Sequence, residues 1–162
     1  LLATAAAALA GPAPAAAEDV VKVERMSMEL ARDIVQGAVE ACREEGYQVT
    51  AAVVDRTGDP QVVMRDVYAP EMSFRIARKK AYTAVMFSVD TVDLLGNRPD
   101  AGATMNHVEG VLFAEGGRLV ETGGGAILGA VGVSGAPGGD IDARCAQAGI
   151  DGVSERLQFA GM

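Results

Sequence analysis

The sequence predicts an α+β fold in which helices pack on an antiparallel sheet. Apolar residues recur at helical spacing in three segments, whereas five short runs rich in β-branched residues are separated by turns. The resulting order is α-β-β-α-β-β-β-α. It lacks the alternating βαβ units of a parallel sheet, so it favours helices layered on an antiparallel one.

The first helix is predicted to begin at Ser27, whose hydroxyl suits the N-cap position. Glu29 in the first turn favours the positive end of the helix dipole. The helix continues to about Glu45, and Gly46 ends it. Its apolar residues at helical spacing are Leu30, Ile34, Ala38 and Ala41.

A β-hairpin is predicted next. Residues 49–55 form the first strand, residues 57–60 the turn, and residues 61–65 the returning strand. A second helix begins near Pro70, because proline suits the first turn of a helix. Its apolar stripe runs from Phe74 to Val85, and Arg75, Arg78 and Lys79 lie off that stripe.

The last third of the chain is dense in glycine, and this pattern indicates sharp turns between short strands. We predict strands over residues 111–113, 118–121 and 126–133, after a loop over residues 96–104. A closing helix covers residues 140–148. Gly123–Gly125 precedes an apolar strand rather than a helix, so it predicts a hairpin turn and not a phosphate-binding loop.

The chain begins with an apolar, alanine-rich and uncharged run, which ends in Ala15-Ala16-Ala17. This pattern is typical of an export signal that has lost its basic start, with a flexible tail or a membrane anchor as alternatives. The run is shorter than the roughly 20 apolar residues of a bilayer span. We therefore expect a signal at 1–17, a linker at 18–26, one domain at 27–150, a tail at 151–162, and a periplasmic or secreted protein without membrane insertion after cleavage.

Net charge and cysteine content narrow the function further. The formal net charge of −8 repels nucleic acid and anionic lipid, so we expect neither as a partner. Cys42 and Cys145 could form a disulfide in an oxidising compartment, or each could be a small buried residue on a helix face. The second interpretation is favoured, because the sequence alone does not place the two within bonding range.

Several segments together resemble the GlcG/HbpS-type haem-binding family. They are Thr50–Gly58, Arg65, Ser73–Ala84, Gly116-Gly117, Gly129–Pro137, Asp142 and Ala146. The resemblance covers nearly all of the chain from about Ser27 to Gly149. It implies a profilin-like two-layer sandwich with a five-stranded antiparallel sheet, a homo-oligomer that is commonly an octamer, and binding of haem or a similar tetrapyrrole for capture, storage or sensing.

His107 is the one histidine of the chain, and neutral imidazole is the commonest ligand for haem iron. With the family resemblance, this makes His107 our candidate axial ligand and metal-binding residue. An exposed histidine without a role is the alternative. Met105 is a second candidate in the haem site, although methionine more often fills gaps in a core. Met64, Met72 and Tyr68 are further possible axial or wall residues, and core or interface packing is again the favoured interpretation.

Arg65 and Lys80 match family positions and are candidates for pairing with a haem propionate, since a cation at a pocket mouth can bind a carboxylate. The competing interpretation is structural. Lys80 or Arg65 would then form a buried ion pair with Asp55 or a salt bridge between subunits, and this interpretation is favoured.

The sequence gives little support for catalysis, and we nominate no catalytic residue. Asp55 is the one candidate general acid or base, and holding the hairpin turn explains it better. Gly132–Ala136 lacks the last glycine of a nucleophile elbow. An enzyme that degrades or modifies a tetrapyrrole or small metabolite is therefore the second hypothesis. A structural or signalling module without bound ligand is the third.

Overall fold

A computed structural model of the protein describes residue 19 and residues 21–160. The expected signal at 1–17 lies outside the described residues. The helices in the described part of the chain are α1 (Met28–Glu44), α2 (Glu71–Phe87), α3 (Thr91–Asn97), α4 (Gly102–Met105), α5 (Gly139–Asp151) and α6 (Ser154–Gln158). The strands are β1 (Thr50–Asp55), β2 (Pro60–Arg65), β3 (Gly117–Glu121) and β4 (Ile127–Ser134).

The strands form one sheet in the order β2-β1-β4-β3, and every neighbouring pair is antiparallel. At its centre, Val53 of β1 is paired with Val62 of β2 on one side and Val131 of β4 on the other. The predicted α+β class with an antiparallel sheet is confirmed. The hairpin and both long helices also lie close to their predicted positions.

The prediction of five strands is wrong, because residues 111–113 do not join the sheet of the described chain. The amide of Leu112 donates to Thr83 Oγ1 at 2.8 Å, and the amide of Phe113 donates to Asn106 Oδ1 at 2.7 Å. These side chains satisfy donors that a strand would place in a ladder. Two short helices, α3 and α4, also occupy the region before β3, so the element order becomes α-β-β-α-α-α-β-β-α-α.

Helices cover both faces of the sheet, so the expected two-layer arrangement is also wrong. Successive residues of a strand point to opposite faces, and Val53 and Val54 in β1 are both fully buried. Val53 belongs to the main core with α1 and α5, whereas Val54 packs with Ala81 and Ala84 of α2. Because the central strands are apolar on both faces, each face requires a helical layer.

Cys42 of α1 and Cys145 of α5 form a disulfide, with their Cα atoms 5.4 Å apart. The interpretation of two separate thiols is therefore wrong. Helices α1 and α5 pack against each other on the same face of the sheet, which brings together cysteines 103 residues apart. Both cysteines are buried in the main core.

The chain after α5 adds to this core. Val153, which immediately precedes α6, and Leu157, which lies within it, are buried against residues of α1 and the sheet. Among residues 19 and 21–160, no helix has both the length and the apolar character that crossing a bilayer requires.

Candidate functional site

A cavity of about 500 Å³ lies over the outer surface of α2. This volume is within the range of about 300–1,000 Å³ that is usual for small-molecule and cofactor sites. The lining combines aromatic rings, cationic side chains and the backbone of a neighbouring loop. Its residues are Phe74, Arg75, Arg78, Lys79, Tyr82, Glu109 and Gly110.

Helical periodicity places four of these residues together. Arg75, Arg78, Lys79 and Tyr82 stand at positions i, i+3, i+4 and i+7, so they share one face of α2. The opposite stripe, which includes Ala77, is buried against the sheet. Burial of that stripe turns the cationic face outward to the cavity.

The other wall of the cavity is the segment that follows α4. Glu109 and Gly110 line the cavity, and the next residues, Val111 and Phe113, are buried in a small apolar cluster with Leu94 and Ala101. The hydrogen bond from the Leu112 amide to Thr83 Oγ1 ties this segment directly to α2. The two walls are therefore fixed relative to each other by packing and by a hydrogen bond.

The electrostatic character of the cavity is positive although the chain is acidic overall. Three cations and the single carboxylate of Glu109 line it. Arg75 lies 3.8 Å from Glu71 in an exposed pair, which is a weak interaction. Within the described residues, Arg78 and Lys79 form no ion pair with any carboxylate. Their charges therefore remain available to a ligand.

His107 lies in the turn between α4 and Glu109, and its side chain is exposed. Its backbone amide donates to Thr104 O at 3.3 Å. The residue thus stands two positions before the cavity wall, and its role as axial ligand remains a prediction. In the described chain, no cluster of three histidine, cysteine or acidic side chains forms a metal site. Met105 is half-buried and packs against the cluster of Leu94 and Phe113.

Lys80 lies on the buried side of α2, away from this cavity. Its ammonium donates to Asp142 Oδ2 at 2.7 Å and to Val133 O at 3.0 Å. The sequence suggests Asp55 as the partner of a structural Lys80, but the partner in the structure is Asp142. Burial raises the pKa of the Asp142 carboxyl above its usual value, and the attraction of Lys80 opposes that rise. This arrangement agrees with the structural interpretation of Lys80.

A second cleft, of about 640 Å³, borders this ion pair and lies between α2 and the start of α5. Arg65 lines neither cavity. Its side chain is exposed at the end of β2, where the guanidinium donates to Ala69 O at 2.7 Å. The four residues that the sequence nominates are therefore dispersed: His107 is near the α2 cavity, Met105 is in a core cluster, and Lys80 and Arg65 are elsewhere.

Asp55 serves the hairpin turn, as the sequence suggests. Its Oδ1 accepts from the amides of Thr57 and Asp59 at 2.8 and 3.1 Å, and Arg25 lies 3.0 Å from Oδ2. Burial opposes ionisation of this carboxyl, but the hydrogen bonds outweigh it and hold the pKa of Asp55 below its usual value. A carboxylate held ionised in this way is a poor general base at neutral pH.

The residues that the sequence did not nominate are the cations of α2. The signal for them was present, because Arg75, Arg78 and Lys79 lie off the apolar stripe of a predicted amphipathic helix. Most charged helix faces are exposed to water and bind no ligand. The sequence does not show that residues 109–110 lie beside this face of α2, where the two together enclose a cavity.

The fold and the cavity define a class: a sheet domain with helices on both faces and a cavity between α2 and an adjoining loop. The chain belongs to the HbpS-like family, because the model described as "Haem degrading protein HbpS-like" matches residues 26–151. No curated protein sequence gives a significant match.

Solved structures support this assignment. The chain is 34% identical to a double mutant of HbpS from Streptomyces reticuli, with a TM-score of 0.76, covering 88% of this chain and 96% of that one. It is 28% identical to PduOC in a haem complex, with a TM-score of 0.71 and coverage of 80% and 95%. The protein ORFY of Klebsiella pneumoniae, a DUF336 protein, has the same fold at 24% identity, with a TM-score of 0.77 and coverage of 86% and 98%.

Proposed function

We propose that this protein binds haem or a related tetrapyrrole in the α2 cavity, with His107 as an axial ligand to the iron. The observation that carries the proposal is the cavity itself, in which aromatic rings and unpaired cations of the described chain occur together beside the loop of His107. A relative crystallised as a haem complex and the family description both point to the same ligand.

The residues at the cavity fit such a ligand. Phe74 and Tyr82 offer apolar surface to a planar macrocycle, and the volume is that of a cofactor site. The porphyrin itself supplies four nitrogen ligands to iron, so the protein needs to provide one or two axial ligands rather than a cluster. The imidazole of His107 is exposed and available for this role.

We further propose that the protein is exported to the periplasm or secreted, that it forms a homo-oligomer such as an octamer, and that it captures, stores or senses haem. The Cys42–Cys145 disulfide is consistent with an oxidising compartment. Exposed apolar side chains at Val67, Tyr68 and Met72 are consistent with a surface that is covered by a second copy.

The second candidate function is degradation of haem, and the observation in its favour is the name of the matching family. Against it, Asp55 is engaged in the hairpin turn and the described chain offers no other general base at the cavity except the exposed Glu109. Binding without turnover is therefore our first candidate.

A titration of the purified protein with haemin tests the proposal. We expect a saturable shift of the Soret band, and we expect His107→Ala to change the band position and weaken binding. Lys22→Ala is the control, since this exposed side chain does not line the cavity and its loss should leave the spectrum unchanged. An unaltered Soret band and affinity in His107→Ala would show that this histidine is not a ligand.

The same sample separates the other hypotheses. Loss of the Soret band after addition of ascorbate under oxygen supports a degrading enzyme. A band that persists under these conditions supports binding without turnover. If haemin gives no saturable shift at all, the domain is a structural or signalling module and haem binding is wrong.

A further inference from the structure

We propose that Arg78 and Lys79, with Arg75 beside them, form a carboxylate-recognition site that selects tetrapyrroles bearing free carboxylates, whatever metal the ring carries. This inference rests on the proposed function, because it assigns the specificity of the same cavity. It adds a requirement on the ligand that neither the family description nor the relatives' names contain.

The first support is the placement of these cations. Arg78 and Lys79 are exposed on the outer face of α2 and line the cavity. Neither forms an ion pair with a carboxylate within residues 19 and 21–160. An arginine guanidinium presents a planar fork that binds a carboxylate through two parallel hydrogen bonds, and a lysine adds a compact charge. Adjacent positions on one helix face can therefore serve two carboxylates of one ligand.

The second support is the local charge. Three cations and one carboxylate line the cavity, which leaves a net charge of +2, whereas the whole chain carries −8. The two ionised carboxylates of a tetrapyrrole together carry the complementary charge of −2. The facing acidic groups are Glu71, which is 3.8 Å from Arg75, and Glu109 on the opposite wall, so Arg78 and Lys79 are the cations least compensated by the protein.

The third support is that the cations nominated from the sequence have other partners. The ammonium of Lys80 is buried and paired with Asp142, and the guanidinium of Arg65 is bound to a backbone oxygen at the end of β2. Taking either of them for ligand binding would break an existing interaction. Arg78 and Lys79 can bind a carboxylate at no such cost.

The test compares protoporphyrin IX with its dimethyl ester, at the same low cosolvent concentration, by titration of the porphyrin absorbance. The two probes contain no iron and share the same ring, so the comparison does not depend on His107. The variant is Arg78→Gln/Lys79→Gln. The control is Lys22→Gln/Arg32→Gln, which also removes one lysine and one arginine but leaves the cavity lining intact.

We expect wild-type protein and the control to bind the diacid more tightly than the ester, and added salt to reduce the difference because the cations are exposed. Arg78→Gln/Lys79→Gln should bind the diacid about 5- to 30-fold more weakly and the ester with unchanged affinity. Equal binding of the two probes by wild type, or an undiminished preference in the variant, would overturn the inference.

The outcomes separate this inference from the proposed function. A haemin Soret shift together with equal binding of acid and ester overturns the carboxylate site and leaves haem binding intact. Preference for the diacid without any haemin Soret shift supports the carboxylate site and rejects iron ligation. If neither protoporphyrin IX nor its dimethyl ester binds, the carboxylate site is rejected.

Discussion

The ring of Tyr82 lies against the backbone of Gly110, so closely that a Cβ atom at residue 110 would stand 3.0 Å from Cε1 of the ring. The opposite edge of the same ring lies against Gly58 in the β1–β2 turn, where a Cβ atom would stand 2.6 Å from Cδ2. Both glycines have positive φ angles, +85° and +88°. A residue that lines the cavity is thus clamped between two turns that only glycine fits.

Gly58→Ala should destabilise the protein, because the added methyl group meets the Tyr82 ring and alanine is disfavoured at this φ angle. We expect a loss of about 2–4 kcal/mol in the free energy of unfolding, measured with urea. Gly124→Ala is the control, since its Cβ atom would have its nearest neighbour at 3.7 Å and its φ angle is not positive. Similar losses in the two variants would contradict the clamp.

Lys80→Met should strongly destabilise the fold, because it leaves the Asp142 carboxylate buried without its cation. Removing one partner of a buried pair typically costs about 3–5 kcal/mol. The pKa of Asp142 is already raised by burial, and loss of Lys80 raises it further. A carboxyl whose pKa is raised in the folded state stabilises that state less and less as pH rises through the raised pKa. The free energy of unfolding of Lys80→Met should therefore fall further below that of wild type from about pH 4 to pH 7.

The matched variant for this pair is Lys80→Met/Asp142→Leu, which removes both charges from the interior. Replacing a buried pair by apolar residues is often close to neutral, so the double variant should recover much of the lost stability. Unfolding curves at pH 4 and pH 7 measure both effects. A deficit in Lys80→Met that does not depend on pH, or a double variant no more stable than the single one, would argue against an ion pair.

Removing the Cys42–Cys145 disulfide should lower the free energy of unfolding by about 2–4 kcal/mol, because the bond closes a loop of 103 residues. Cys42→Ala/Cys145→Ala tests this, with urea unfolding under oxidising and reducing conditions. Wild type should become less stable on addition of a reductant, whereas the double variant should not respond. If the reductant leaves the wild-type midpoint unchanged, the bond contributes nothing measurable.

Asp55→Ala should open the β1–β2 turn, because the carboxylate accepts two backbone amides there. We expect a loss of about 1–3 kcal/mol at neutral pH. The pKa of Asp55 is lowered in the folded state, so its contribution is present above the ordinary value of 3.8 and is lost as pH falls through the folded pKa. The unfolding midpoints of variant and wild type should therefore converge as pH falls below 3.8. Asp151→Ala, which removes an exposed carboxylate on α5, serves as control.

The sequence predicts the parts of this molecule that depend on local periodicity. The α1 and α2 stripes and the β1–β2 hairpin follow from spacing and turn residues, so their positions agree with the structure to within a few residues. The run at 111–113 has strand-like composition, but its amides are bonded by Thr83 and Asn106. Those partners lie up to 29 residues away, and local pattern cannot identify them.

The candidate site shows the same division. The face of α2 that carries Arg75, Arg78 and Lys79 is visible in the sequence, and so is the single His107. The long-range pairings are not visible: Lys80 meets Asp142 across 62 residues, and Cys42 meets Cys145 across 103. These contacts decide which cations are already engaged, and therefore which ones remain for a ligand.

The disulfide joins α1 to α5 on one face of the sheet, whereas the cavity lies over α2 on the other. The covalent cross-link thus secures the layer that does not line the α2 cavity. Positions 74, 75, 78 and 79 are exposed, and none of them lies in the two helices that the disulfide joins. A combinatorial library at these four positions could therefore reshape the cavity lining while the scaffold beneath it stays intact.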